Sequence, residues 1–223
     1  MRRRSMVGIG CLTAYAIAMA HVEATVVIYL RRLYHAGDPL TVFPLATLPH
    51  TDLAIELARE LATLVMIASV AFLYAKHGPR VFAAFLYVFG LWDIAYYAWL
   101  KLMLGWPTSW LEWDVLFLIP WPWLAPWIAP VLAAAAFAIS GACTLLSAPA
   151  APAPSRGEYA AFAIGVAIVI GAFLLPGLPF GEGAEPAAIY RPGAFNWRLF
   201  ALGYAIMTAG LFVKKLPKVP IGL

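Results

Sequence analysis

The sequence predicts an all-α fold, a polytopic membrane helical bundle of about six transmembrane helices. Three observations predict it. Hydrophobic residues make up 64% of the 223 and charged residues only 12%, against about 25% charged in an ordinary soluble domain. The mean hydropathy is +0.84. The apolar residues also fall into runs close to the ~20 residues that cross a bilayer, and the basic residues gather at the ends of those runs, as membrane orientation requires.

The runs are, in order, 6–30, 53–75, 81–104, 118–146, 159–175 and 196–213. The first has a rival reading. Arg2, Arg3 and Arg4, an apolar stretch and then Ala18-Met19-Ala20 resemble a signal peptide with a small-residue cleavage site. The apolar run continues through Ala24-Thr25-Val26-Val27-Ile28, so a retained span is expected. The fourth starts among prolines, Pro120, Pro122, Pro126 and Pro130, interleaved with Trp121, Trp123 and Trp127. These break or bend its entry. The last two runs are short and carry no charge in their middles. On the first, Ala14, Ala16, Ala18 and Ala20 allow a neighbouring helix to come close.

Three connections carry most of the polar character. Residues 31–52 hold His35, Asp38, His50 and Asp52. Residues 105–117 hold Trp106, Trp110 and Trp113, which suit the headgroup level. There Ser109 and Glu112 match a capping box opening an interfacial helix, and Asp114 is expected to pair with Arg31, Arg32 or Lys101 across the outer surface. Residues 148–158 form a linker rich in proline and alanine, held extended. It separates a polar-decorated half (1–147, four spans) from a plainer C-terminal half (159–223, two spans).

Orientation follows from the basic residues. With the N-terminus inside, the inner segments hold Arg2, Arg3, Arg4, Lys76, Arg80, Arg156, Lys214, Lys215 and Lys218, and the outer ones Arg31, Arg32, Lys101, Arg191 and Arg198. Nine against five favours both termini in the cytoplasm.

Several chemistries are excluded by their missing signatures. There is no Gly-rich phosphate loop, no His-Glu-x-x-His and no Gly-x-Ser-x-Gly. No lysine lies inside a span to form a retinal Schiff base. Cys11 and Cys143 sit in apolar runs and make no metal-binding or disulfide spacing. The +4 net charge is spread over span ends and is no nucleic-acid footprint.

Ionisable side chains inside a span are costly and usually face protein or water. At 1.5 Å per residue, His21 and Glu23 lie ~5–8 Å past the middle of the first span, toward the first loop. Glu60 lies ~6 Å from the middle of the second span in the same direction, with Glu56 ~6 Å further out. Asp93 is near the middle of the third span, and Tyr96 and Tyr97 lie ~6–8 Å outward. All three spans thus place polar groups in the same half of the membrane. Glu56 and Glu60 share a helix face, as do Asp93, Tyr96 and Tyr97. His21 and Glu23 diverge by about 200°, so only one can point at a common centre. Glu23 is the better choice, because Ala16 and Ala20 lie on its face.

Carboxylates and an imidazole on neighbouring helices are the ingredients of a carboxylate-rich metal centre. In this reading Glu23, Glu60, Asp93 and His21 are the ligands of a transition-metal ion such as iron, manganese or copper, and Glu56, Arg59, Tyr96 and Tyr97 surround them. The Glu-x-x-His pairs of four-helix di-iron proteins are missing. A second reading makes Asp93 a proton or ion carrier. A third makes Arg59, Glu56 and Glu60 an ion-pair network that fixes helix packing, with Glu56 also offsetting its helix macrodipole.

Two stretches are distinctive: Trp92-Asp93-Ile94-Ala95-Tyr96-Tyr97-Ala98-Trp99-Leu100-Lys101, and Gly105-Trp106-Pro107-Thr108-Ser109-Trp110-Leu111-Glu112-Trp113-Asp114 with Leu116-Phe117-Leu118-Ile119-Pro120-Trp121-Pro122-Trp123. Over roughly residues 19–132 the chain resembles a group of uncharacterised bacterial integral membrane proteins. The resemblance implies a bacterial plasma membrane and brings no activity with it. Two classes of function therefore stand: a site-bearing protein, redox or ion-handling, and a non-catalytic structural or assembly subunit of a larger membrane complex. The expected partners are the lipid bilayer, other membrane subunits or further copies of the chain, and no nucleic acid. No residue is singled out as catalytic.

Overall fold

A computed structural model describes residues 2–35, 37–45, 48–75, 78–147, 154–181 and 190–212. It is an all-α helical bundle with one small two-stranded sheet. Three long helices come first: α1 (Arg2–Tyr34), α2 (His50–Tyr74) and α3 (Gly78–Leu104). The hairpin β1 (Trp113–Phe117) and β2 (Trp123–Pro126) precedes α4 (Ile128–Leu146) and α5 (Arg156–Leu174). A 3-10 turn (Leu175–Gly177), the short α6 (Leu178–Gly181) and α7 (Trp197–Phe212) complete the order.

Five of these helices are long and apolar enough to cross a membrane. At 33 residues, α1 is ~50 Å long and exceeds a ~30 Å hydrocarbon core. The sixth apolar helix, α7, has 16 residues, or ~24 Å.

The fourth span begins at Ile128, ten residues after the expected start at residue 118. The reason lies in the local sequence. Trp113-Asp114-Val115-Leu116-Phe117 is β-branched and aromatic, and Pro120 and Pro122 offer no N–H to a helix. The strands pair antiparallel, Trp113 with Pro126, Asp114 with Ala125 and Val115 with Leu124, with an irregularity before Phe117 pairs with Trp123. No helix opens at Ser109 either. The Glu112 carboxylate turns back to accept from the Thr108 N–H at 2.5 Å, the Thr108 hydroxyl at 2.8 Å and the Ser109 N–H at 3.2 Å. The capping box occurs instead at α5, between Ser155 and Glu158. Residues 148–153 of the expected linker lie outside the described residues.

Glycine lets two helix pairs pack closely. A Cβ on Gly90 of α3 would stand 2.3 Å from the Ala134 carbonyl oxygen of α4, and one on Gly141 of α4 would stand 2.6 Å from the Ala83 carbonyl oxygen. On α5, a Cβ on Gly165 would stand 2.2 Å from the Met207 nitrogen of α7. Of the four alanines on α1, Ala16 and Ala20 are fully buried while Ala14 and Ala18 are exposed, so close packing uses one stripe.

Three connections meet at one end of the bundle. The Arg191 guanidinium donates to the Phe43 carbonyl at 3.1 Å, the Tyr190 ring packs against Phe43, and Gly177 lies against the Pro122 carbonyl. The hairpin sits at this end. At the other end Arg80 donates to the Leu145 carbonyl at 2.9 Å.

Candidate functional site: a cavity beneath the hairpin

At the hairpin end, α1, α2, α3, β1 and the first loop enclose a cavity of about 400 Å³. Five carboxylates line it, Glu23, Glu56, Glu60, Asp93 and Asp114, with two guanidiniums, Arg31 and Arg59. Apolar side chains from Val27, Leu30, Leu45, Leu48 and Leu53 fill in the walls, with Trp92, Tyr96 and Tyr97 from α3 and Val115 to Leu118 from the hairpin.

Arg59 points inward. One turn of α2 brings Glu56 within reach, and the guanidinium Nε donates to Glu56 Oε2 at 2.8 Å while Nη2 donates to Oε1. Nη1 crosses to Glu23 of α1. The Thr63 hydroxyl donates to the other oxygen of Glu23 at 3.2 Å. Of the expected network of Arg59, Glu56 and Glu60, the Glu56 pair is present and Glu60 is not part of it. Arg59 takes Glu56 and Glu23, because the α1–α2 gap holds Glu23 at the level of its fork.

Among the described residues Glu60 joins no ion pair. Its carboxylate accepts from the Leu118 N–H, with both oxygens at 3.0 and 3.1 Å. Leu118 directly follows β1, beyond the last strand residue. Glu60 therefore ties α2 to the hairpin.

Asp114 is the second fastening. In β1 its side chain points to the bundle and is 3% exposed; its partner Arg31 is 7% exposed. Arg31 Nη2 donates to Oδ1 at 3.0 Å, and the Tyr97 hydroxyl donates to Oδ2 at 3.1 Å. Burial pushes the Asp114 carboxyl above its ordinary value, and Arg31 and then Tyr97 pull it back. The pair expected on an outer surface is thus a buried one, and it joins α1, α3 and β1. The Arg31 guanidinium also lies 4.0 Å over the fully buried Trp106 ring, a cation–π contact. Gly105, at φ +80°, makes the turn that brings Trp106 back. Lys101 holds the turn after α3 by donating to the Gly105 and Pro107 carbonyls at 3.0 and 2.8 Å.

Asp93 is different. Its Oδ2 is sealed from solvent and has no hydrogen-bond partner among the described residues. His35, which also lines the cavity, is pushed below its ordinary pKa by burial and by the charge of Arg31.

Glu23, Glu60 and Asp93 all line this cavity, as do Glu56, Arg59, Tyr96 and Tyr97. His21 does not. It is exposed, one face of α1 away, with its ring edge-on to Trp99 at 4.8 Å. Among the described residues no three His, Cys, Asp or Glu side chains gather closely enough to hold a metal ion. The metal reading of Glu23, Glu60, Asp93 and His21 therefore finds no ligand set: Glu23 turns to Arg59, Glu60 to a backbone N–H, and His21 faces away.

Arg31 and the Leu118 N–H were not anticipated as cavity groups. Asp114 alternates with Trp113 and Val115, a pattern that by itself turns its side chain away from an apolar core, so nothing marked it as facing the bundle. No signal marks Leu118 either, since a backbone donor is invisible in a side-chain pattern. No protein-family model matches the chain, and no curated protein and no solved structure matches it.

Proposed function

We propose that this chain is an integral membrane protein that receives a small amphipathic molecule in the cavity beneath the hairpin. One observation carries the reading: a cavity of about 400 Å³ walled by hydrocarbon and by ionisable side chains, set between three helices long enough to span a membrane. Ligand cavities fall in the range of ~300–1,000 Å³ and combine apolar walls with a few fixed polar groups. Charged residues inside spans commonly mark a substrate or ion path. The same proposal has both termini cytoplasmic, supported by the nine-to-five distribution of basic residues, and the membrane a bacterial plasma membrane, supported by the resemblance over residues 19–132.

The test compares the purified full chain with a cavity-filled Leu53→Trp variant in maltoside micelles. Thermal unfolding is followed with three aromatic probes of different charge: benzyltrimethylammonium, neopentylbenzene and benzenesulfonate. The wild type should gain stability in a saturable way with at least one probe, and the filled variant should not. If no probe distinguishes the two proteins, the reading fails.

A further inference from the structure

We infer that the molecule this cavity takes is an organic cation, an ammonium-type group on an apolar body, with Asp93 as its counter-ion. This rests on the cavity reading above and names its ligand class.

Each of the cavity's two guanidiniums is already paired with a carboxylate. Arg59 is held between Glu56 and Glu23, and Arg31 between Asp114 and the Trp106 ring face. Arg31 Nη1 is buried without an acceptor, but an anion that reached it would enter a cavity whose five carboxylates outnumber its two guanidiniums. Asp93 stands the other way round. Its Oδ2 is buried without a donor, and an unpaired carboxylate away from water is costly. Asp93 lines the cavity, and a cationic guest there would balance the charge of its carboxylate.

The surroundings of Asp93 suit an organic cation over a bare metal ion. Trp92 is its chain neighbour, and Tyr96 and Tyr97 follow at i+3 and i+4 on the same face of α3. All of them line the cavity, and the two tyrosine rings meet edge to face at 5.0 Å. Aromatic faces attract ammonium groups. A small metal ion would instead want several hard donors at one point, and among the described residues no such group forms. Val27, Leu30 and Leu53 offer hydrocarbon for the rest of the guest.

Direct binding of two isosteres tests this: benzyltrimethylammonium and its neutral carbon analogue neopentylbenzene, with benzenesulfonate as the anion. Affinities are measured by equilibrium dialysis on the full chain in maltoside micelles, against protein-free micelles. The wild type should prefer the cation by roughly tenfold or more, a free-energy difference within reach of one ion pair and a cation–π contact. Asp93→Asn keeps the side-chain shape and should bring the ratio near one while neutral binding persists. Equal affinity for cation and neutral analogue in the wild type, or a preference for the anion, overturns the inference and leaves the cavity reading intact. An undiminished ratio in Asp93→Asn removes Asp93 as the counter-ion. If no probe binds at all, the cavity reading falls and this inference with it. The wild-type comparison stands by itself if the variant does not fold.

Discussion

Glu23 of α1 and Arg59 of α2 join across a gap between two helices whose backbones do not pack closely. The backbone of α2 lies against α3, and α1 is reached by side chains: Tyr74 extends to Gly8 toward one end, and Arg59 extends to Glu23 toward the other. The cavity lies beyond the Glu23–Arg59 pair, toward the first loop, lined by α1 between Glu23 and Tyr34 and by α2 between Leu53 and Glu60. An ion pair holds the helices where a close apolar seam would have closed the site.

Loss of Arg59 should therefore destabilise more than loss of an ordinary surface charge. Arg59→Leu leaves Glu23 and Glu56 unpaired in a half-buried place. Removing one partner of such a pair costs on the order of 3–5 kcal/mol. The triple variant Arg59→Leu, Glu23→Gln, Glu56→Gln should recover most of it. Thermal unfolding in detergent checks both, and equal loss in the single and triple variants would count against the pairing.

Asp114→Asn should release the hairpin. The amide oxygen can still accept from Tyr97 or Arg31, but the charge that balances buried Arg31 is gone, at a cost of about 3–5 kcal/mol. Limited proteolysis should then cut within residues 105–127 faster than in the wild type. Arg31→Lys should not substitute, because an ammonium lacks the planar fork that meets Asp114 while stacking on Trp106.

Glu60 separates a charge role from a hydrogen-bond role. Glu60→Gln keeps a carbonyl oxygen for the Leu118 N–H and should be well tolerated. Glu60→Ala leaves that donor without its partner, worth about 1–3 kcal/mol. Hydrogen exchange at Leu118 reads the difference: fast in the alanine variant and slow in the glutamine variant. Fast exchange in both would make the charge, and not the hydrogen bond, the fastening.

Glycine substitutions should split by position. Gly90→Ala drives a methyl into the Ala134 carbonyl and forces α3 from α4, an overpacking of about 1–3 kcal/mol. Gly10→Ala faces open space on α1 and should be neutral or stabilising by up to about 1 kcal/mol through helix propensity. The melting temperatures should move in opposite directions or leave Gly10→Ala unchanged.

Reporter fusions after residues 40, 112 and 187 should lie on one side of the membrane, and fusions after 78, 153 and the C-terminus on the other. Fusions after 40 and 78 reporting the same side would reject the alternation of α1, α2 and α3.

The spans were legible because burying charge in hydrocarbon is so unfavourable that composition alone marks where the chain crosses. The common level of Glu23, Glu60 and Asp93 was legible for a related reason: a helix advances a constant 1.5 Å per residue, so depth follows from counting. The divergence of His21 from Glu23 follows from the same geometry, and His21 indeed stands outside the cavity. The start of the fourth span was not legible in this way. Residues 118–127 are as apolar as a helix, and only the pairing of β1 with β2 satisfies their backbone differently.

By itself, then, the sequence determined a helical membrane bundle and the depth of its buried charges, since both depend on local composition and helix geometry. Only the tertiary structure decided which charge meets which. Arg59 chose Glu23 over Glu60 or Asp93, Arg31 chose Asp114, and Asp93 was left without a donor. An ion pair depends on angstrom-scale separations between helices distant in sequence, and these were set by glycine seams, by the hairpin and by the turn at Gly105, none of which a one-dimensional pattern encodes.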